Sequence, residues 1–136
     1  MLKKPVTIIA VLIALFGIAI TAGAAETSEV PLSALDLSKM SAGWGEPLVD
    51  QSIEGKPLRM DGKTYDRGVG THAVSMFYVR LDGKTERFTA RVGVDDETGS
   101  RGSVTFRVYG DGEELFDSGV MTGDDPPKRV DVDLRG

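Results

Sequence analysis

Apolar and polar residues alternate along most of the chain in short runs that end at glycine-containing turns. In residues 87–94, Phe88, Ala90, Val92 and Val94 fall on one side and Arg87, Thr89 and Arg91 on the other. A period of two predicts a strand with one face buried. Residues 103–109 repeat the pattern, with Val104, Phe106 and Val108 opposed to Thr105 and Arg107. Near the end, Val130, Val132 and Leu134 alternate with Asp131, Asp133 and Arg135. Residues 73–81 differ. Ser75, Phe77, Val79 and Leu81 share one face, and the other, with Val74, Met76 and Tyr78, is also largely apolar, which predicts a strand covered on both sides.

The punctuation agrees with this pattern. Asp61-Gly62 separates residues 58–60 from 63–65, Asp82-Gly83 follows the strand at 73–81, and Asp111-Gly112 leads into residues 114–118. Asp-Gly favours tight hairpins because both turn residues need positive φ. Residues 66–70 read as a further turn. Residues 122–127 form a loop, since the consecutive Pro126 and Pro127 cannot sit inside a sheet. The spacing in residues 30–40 predicts a short strand followed by a helical turn. Beyond the first 25 residues, nothing sustains an amphipathic helix of several turns. The predicted fold class is all-β, an antiparallel β-sandwich with the Phe88 and Phe106 rows buried against each other.

The first 25 residues stand apart. Lys3 and Lys4 precede an almost wholly apolar run over residues 6–20, and Thr21-Ala-Gly-Ala-Ala25 supplies small residues. This reads as an N-terminal signal helix over residues 1–24, cleaved after Ala24, with the sandwich domain over residues 25–136. The expected location is secreted or periplasmic, with no membrane contact after cleavage. An uncleaved anchor is the competing reading, because an apolar run of roughly 18 residues can span a bilayer.

Composition narrows the function. The chain has 136 residues and a net charge of −5, which disfavours a nucleic-acid partner. It has no cysteine, which excludes disulfides, thiol catalysis and thiolate metal sites. His72 is the only histidine and Trp44 the only tryptophan.

The candidate chemistry gathers at Trp44, at Gly68-Val-Gly-Thr-His-Ala-Val-Ser75, and at the acidic loop Gly93-Val-Asp-Asp-Glu-Thr-Gly99. A sugar site needs a planar group to stack on the ring and donors and acceptors for its hydroxyls. Trp44, His72, Glu97 and Arg101 supply that repertoire. Each also has a plain structural reading. Trp44 could close one end of the core, His72 could bond backbone at a turn, Asp95 and Asp96 could cap turn amides, and Glu97 and Arg101 could pair. Calcium is the expected metal if one binds, with Asp95 and Asp96 as candidate ligands, joined by Glu97 or by Asp124 and Asp125. The EF-hand spacing is absent. Catalysis is disfavoured. The acidic groups are adjacent on one loop, whereas hydrolytic carboxylates face each other across a cleft. Ser75 follows His72 by three residues without a Gly-x-Ser-x-Gly elbow.

The combination of Trp44-Gly45, the Gly-x-Gly-Thr-His-Ala turn, Phe88-Thr-Ala-Arg-Val-Gly-Val-Asp-Asp-Glu97, Gly102-Ser-Val-Thr-Phe-Arg-Val108 and Ser118-Gly-Val-Met121 resembles the NPCBM group, akin to carbohydrate-binding module family 51. The resemblance implies a galactose-binding-domain-like jelly roll that binds glycans without catalysis, galactosides first among them. It implies an association with glycoside hydrolase domains. It also implies a closing strand beyond residue 134, so that the domain as given would leave one edge unpaired. The alternative is a structural or protein-interaction sandwich with no glycan ligand.

Overall fold

The fold is described from a computed structural model that covers residues 5–9, by their backbone, and residues 28–135. Its strands are β1 (Pro5–Ile9), β2 (Met40–Ser41), β3 (Leu48–Val49), β4 (Leu58–Met60), β5 (Lys63–Tyr65) and β6 (Val69–Gly70). There follow β7 (Met76–Arg80), β8 (Arg87–Val92), β9 (Ser103–Gly110), β10 (Glu113–Thr122) and β11 (Lys128–Asp133). Single 3-10 turns at Leu32–Ala34, Leu37–Lys39 and Asp96–Thr98 interrupt them.

The strands form two layers. One is a five-stranded sheet in the order β10-β9-β1-β7-β2, and the other is made of the antiparallel pairs β11-β8, β3-β6 and β4-β5. The alternating runs explain the core between them. Phe77, Phe106, Val108 and Met121 from the large sheet pack with Ala90, Val92, Val130 and Val132 from β8 and β11. The opposing polar positions Arg87, Arg91, Arg107, Asp131 and Asp133 are exposed. The predicted Phe88 and Phe106 rows do meet, although Phe88 itself is only partly buried. A smaller cluster of Leu58, Met60 and Tyr65 sits under the β4-β5 hairpin.

The Asp-Gly turns have the expected geometry. Asp61 and Gly62 have φ of 48° and 72°, and Asp111 and Gly112 have 52° and 85°, so both central residues are left-handed. That conformation matches the right-handed strand twist of a two-residue hairpin.

Three expectations need correction. The outer face of β7 is open, with Met76 38% and Tyr78 57% exposed, as is Val74 just before it at 72%, because the second layer covers only the inner side of the large sheet. Residues 30–40 hold two 3-10 turns and then a two-residue strand, the reverse of the expected order. Asp36 causes part of this, since its side chain accepts from the Ser38 amide and caps the second turn. Finally, the first part of the predicted signal helix is strand. Pro5–Ile9 pairs with both β7 and β9. Val6, Thr7, Ile8 and Ile9 are β-branched, the residue class that favours strand over helix. The remainder of the proposed leader, residues 10–24, lies outside the described residues, as does the cleavage site.

Candidate functional site

Trp44 is positioned by close contact between two loops. The Gly43 amide donates to the His72 carbonyl at 3.0 Å. A Cβ on Gly43 would stand 2.6 Å from the Val74 nitrogen, so only glycine permits this approach. The consequence is an aromatic edge. The Trp44 and His72 rings lie 6.1 Å apart with 66° between their planes, an edge-to-face arrangement. Trp44 is 61% exposed, which corrects the reading of it as a core plug and leaves it a surface ring. His72 Nδ1 lies 2.6 Å from the Ala73 carbonyl oxygen. A carbonyl only accepts, so Nδ1 carries the proton, and in the neutral ring Nε2 is left as an acceptor. The turn-bonding reading of His72 therefore holds together with its place beside Trp44.

The acidic loop is organised by its own carboxylates. Asp95 Oδ1 accepts from the Glu97 amide at 3.0 Å, and Oδ2 accepts from the Arg59 amide at 2.9 Å. Asp96 Oδ2 accepts from the Gly62 amide at 3.0 Å and pairs with Arg59 Nε at 3.2 Å. These residues cap turns and fasten the β4-β5 hairpin to the loop. Glu97 is used differently. Its side chain is only 9% exposed and lies 3.6 Å from Lys56 Nζ. It accepts from the buried Ser52 hydroxyl at 2.9 Å. The expected Glu97–Arg101 pair is replaced by this Lys56 and Ser52 arrangement.

Between the two loops lies a depression of about 350 Å³. Its floor is apolar, from Leu58, Val69, Val104 and Phe106, and its polar lining comes from Ser52, Thr71, His72, Asp95, Glu97 and Thr98. Thr71 Oγ1 is buried and has no hydrogen-bond partner among the described residues. A buried hydroxyl without a partner costs free energy unless a ligand or water meets it. Gly70 lets this wall form, because a Cβ there would lie 2.7 Å from Ser52 Cα. A second hollow, lined by Glu86, Arg87, Asp131, Asp133 and Arg135, is wholly charged, and its aspartates already meet arginines.

His72 and Glu97 thus line one depression and Trp44 stands at its His72 edge, while Arg101 is exposed and does not line it. Ser52 and Thr71 were not singled out from the sequence. Thr71 sits within the glycine-rich motif and could have been named, but Ser52 belongs to no motif and joins only through the fold. The candidate calcium ligands do not converge. Among the described residues no three His, Asp or Glu side chains are grouped to hold a metal ion. Both Asp95 oxygens and one of Asp96 accept backbone amides. Asp125 Oδ2 accepts from the Thr122 amide at 2.7 Å and hydroxyl at 2.8 Å, and these bonds hold its carboxyl below the usual carboxylate range.

The comparisons with known proteins bear on this geometry. The fold resembles that of the CBM51 module from Clostridium perfringens GH95, solved in complex with methyl-galactose, at 40% identity, TM-score 0.68 and 79% coverage of each chain. It resembles CBM51-2 of Clostridium perfringens ZmpB, solved with GlcNAc and INT domains, at 33% identity and TM-score 0.70, covering 78% of this chain and 24% of that one. In sequence it is 38% identical over 95 residues to alpha-1,3-galactosidase B of Akkermansia muciniphila. That match covers 68% of this chain and 12% of the enzyme, and a second curated relative is matched over 7% of its length. The chain therefore spans a small part of the curated relatives it matches. The NPCBM/NEW2 domain family matches residues 28–136, which hold strands β2 to β11, the Trp44–His72 edge and the acidic loop, and the chain belongs to that family.

Proposed function

We propose that the domain binds the end of a neutral glycan, a galactoside first, in the depression between the Trp44–His72 edge and the loop at residues 95–98. The observation that carries this reading is an exposed ring edge beside a hollow whose lining holds an unpartnered buried hydroxyl, Thr71 Oγ1, and a nearly buried carboxylate, Glu97. Trp44 stacks on the apolar face of the sugar. Glu97 accepts from a ring hydroxyl through its oxygen not engaged by Ser52, and a charged acceptor makes the stronger bond. Thr71 gains the partner it lacks. The carboxylates of Asp95 and Glu97 repel uronic or sialic acid ends. The galactose complex of the structural neighbour supports the same ligand class.

The action is binding without chemistry. Of the carboxylates in the lining, Asp95 has both oxygens occupied by backbone amides, so Glu97 has no second free carboxylate opposite it. In this reading the module holds a glycoside hydrolase domain near its polymer, outside the cytoplasm. No bound metal is needed for it.

Titration calorimetry with methyl galactoside tests this. A modest affinity is expected, because a shallow site recovers little of the cost of ordering a sugar. Trp44→Ala should weaken binding about tenfold or more, near 1.4 kcal/mol, with an unchanged melting temperature. Calcium and chelator should give the same isotherm. A folded wild-type domain that retains no neutral or acidic glycan, or an unchanged isotherm for Trp44→Ala, overturns the reading. Retention of sialylated ends alone overturns the assignment to neutral sugars.

A further inference from the structure

We propose, on the basis of the glycan-binding reading above, that Ser52 sets the selectivity of the depression by holding Glu97 so that one carboxylate oxygen is offered to one sugar hydroxyl. Ser52 is buried. Its hydroxyl oxygen accepts from the Lys56 amide at 3.2 Å and donates to Glu97 Oε2 at 2.9 Å. A hydroxyl has one proton, and the amide can only donate, so that proton is committed to Glu97. The oxygen that receives it carries none of its own. Lys56 Nζ, 3.6 Å away, lies against the same oxygen. Two donors thus converge on Oε2. Oε1 is left to accept from what enters the depression that Glu97 lines.

The turn that carries Ser52 is fixed independently of Glu97. The Ser52 amide donates to the Lys56 carbonyl at 2.8 Å, and the Gly55 amide donates to the Ser52 carbonyl at 2.9 Å. Just before the turn, the Asp50 amide donates to the Gly68 carbonyl and the Asp50 carboxylate accepts from the Gly68 amide, both at 2.8 Å. Ser52 therefore belongs to the wall built on β3 and β6, which leads into Thr71 and His72. Glu97 belongs to the opposite wall, the acidic loop. The bond between them joins residues 45 apart in sequence and ties the two walls together. The recognition that follows is one-sided. A carboxylate oxygen accepts and cannot donate, so the group it meets must carry a proton. A free hydroxyl does so. A deoxygenated, fluorinated, O-methylated or O-sulfated position leaves Oε1 without a donor or sets another acceptor against it. The ligand class is a galactoside that is unsubstituted at the hydroxyl facing Glu97.

Calorimetry with methyl galactoside and its monodeoxy and deoxyfluoro analogues tests this. Wild type should bind one deoxy analogue, and the fluoro analogue at the same carbon, about tenfold or more weaker than the parent sugar. Ser52→Ala should weaken the parent sugar about tenfold and leave that deoxy analogue within about twofold of its wild-type affinity, so that the discrimination collapses. A general loosening of the fold would weaken every sugar alike. Glu97→Gln is the second variant, and it keeps Ser52. The Ser52 proton then takes the amide oxygen, and the amide nitrogen, a donor, faces the ligand. The fluoro analogue should gain on the parent sugar in this variant. Uniform weakening of the whole set by a folded Ser52→Ala, or discrimination unchanged in it, overturns the role of Ser52 while the galactoside reading stands. If Ser52→Ala does not fold, Glu97→Gln decides alone, and undiminished rejection of the fluoro analogue overturns the inference. Wild type that binds every analogue as well as the parent sugar overturns it too. Wild type that binds no galactoside overturns the reading beneath it.

Discussion

The carboxylates of Asp95 and Asp96 reach backbone amides 36 and 34 residues away in sequence, at Arg59 and Gly62. Those of Asp131 and Asp133 meet arginines at the surface of the β8-β11 ladder. Asp131 accepts from Arg87 and Arg129, and Asp133 from Arg135. Both regions read as acidic in the sequence, and both could be mistaken for ligand sites. Their partners separate them. An amide held by a carboxylate fixes one segment of chain against another and leaves a donor unpaired when the carboxylate is removed. A solvent-exposed arginine pair has water to fall back on, and the ordering of two long side chains offsets much of the attraction. The acidic loop is therefore a brace that shapes the depression, with Glu97 as its ligand-facing member. The charged ladder is a solvated surface whose stability comes from its other face.

The inner face of that ladder carries the largest expected effect. Val92 is 2% exposed on the inner face of β8, next to the outward Arg91. Val92→Asp would bury a carboxylate with no partner, at a cost of several kcal/mol, comparable with the about 5–15 kcal/mol that holds a domain together. Arg91→Asp, one residue away, should stay within about 0.5 kcal/mol. Thermal melts by circular dichroism should show the first variant unfolded and the second near wild type. A cooperative, soluble Val92→Asp domain would remove β8 from the sandwich core.

The brace comes next. Asp95→Ala deprives the Glu97 and Arg59 amides of their acceptor at once. The expected loss is about 1–3 kcal/mol in urea unfolding, the range for a helix-type cap plus one further backbone hydrogen bond. Asp131→Ala should give a clearly smaller shift in the same experiment. Equal midpoint shifts for the two variants would mean that backbone and side-chain partners are worth the same here, and the distinction drawn above would fail.

The difference between these regions also marks how far the sequence could be read. Strands 87–92, 103–110 and 128–133 were legible because one face is buried and period two records it directly. The Asp-Gly turns were legible because positive φ restricts residue choice. The open outer face of β7 was not, since Met76 and Tyr78 are apolar side chains that the second layer never covers. The site was half legible. His72 and Glu97 were named from motifs and do line one hollow, with Trp44 at its edge, but Ser52 enters only through a fold contact 45 residues along the chain. Arg101 lies outside the lining for a related reason, because composition ranks a residue by its chemistry and not by where a loop points it. The strand at residues 5–9 was masked by a leader pattern that fits the same apolar letters.

The smallest effect concerns acid. The bonds from Arg87 and then Arg129 hold the Asp131 carboxyl at about 2, below its ordinary 3.8. Asp133 is lowered as well, first by its bond from Arg135. A group whose folded value is depressed binds its proton less readily in the folded than in the unfolded chain. Its contribution to stability is therefore full above the ordinary value and is lost as pH falls through the folded one. For Asp131 that window runs from 3.8 down to about 2. The difference in urea midpoint between wild type and Asp131→Asn should accordingly be small and constant near neutral pH, and fade across that window. High salt at neutral pH should shrink it too, because the pair is exposed and screened. A difference that persists at the acid end would show that Asp131 acts through a contact that survives protonation, and the ladder would then share the bracing role of the acidic loop.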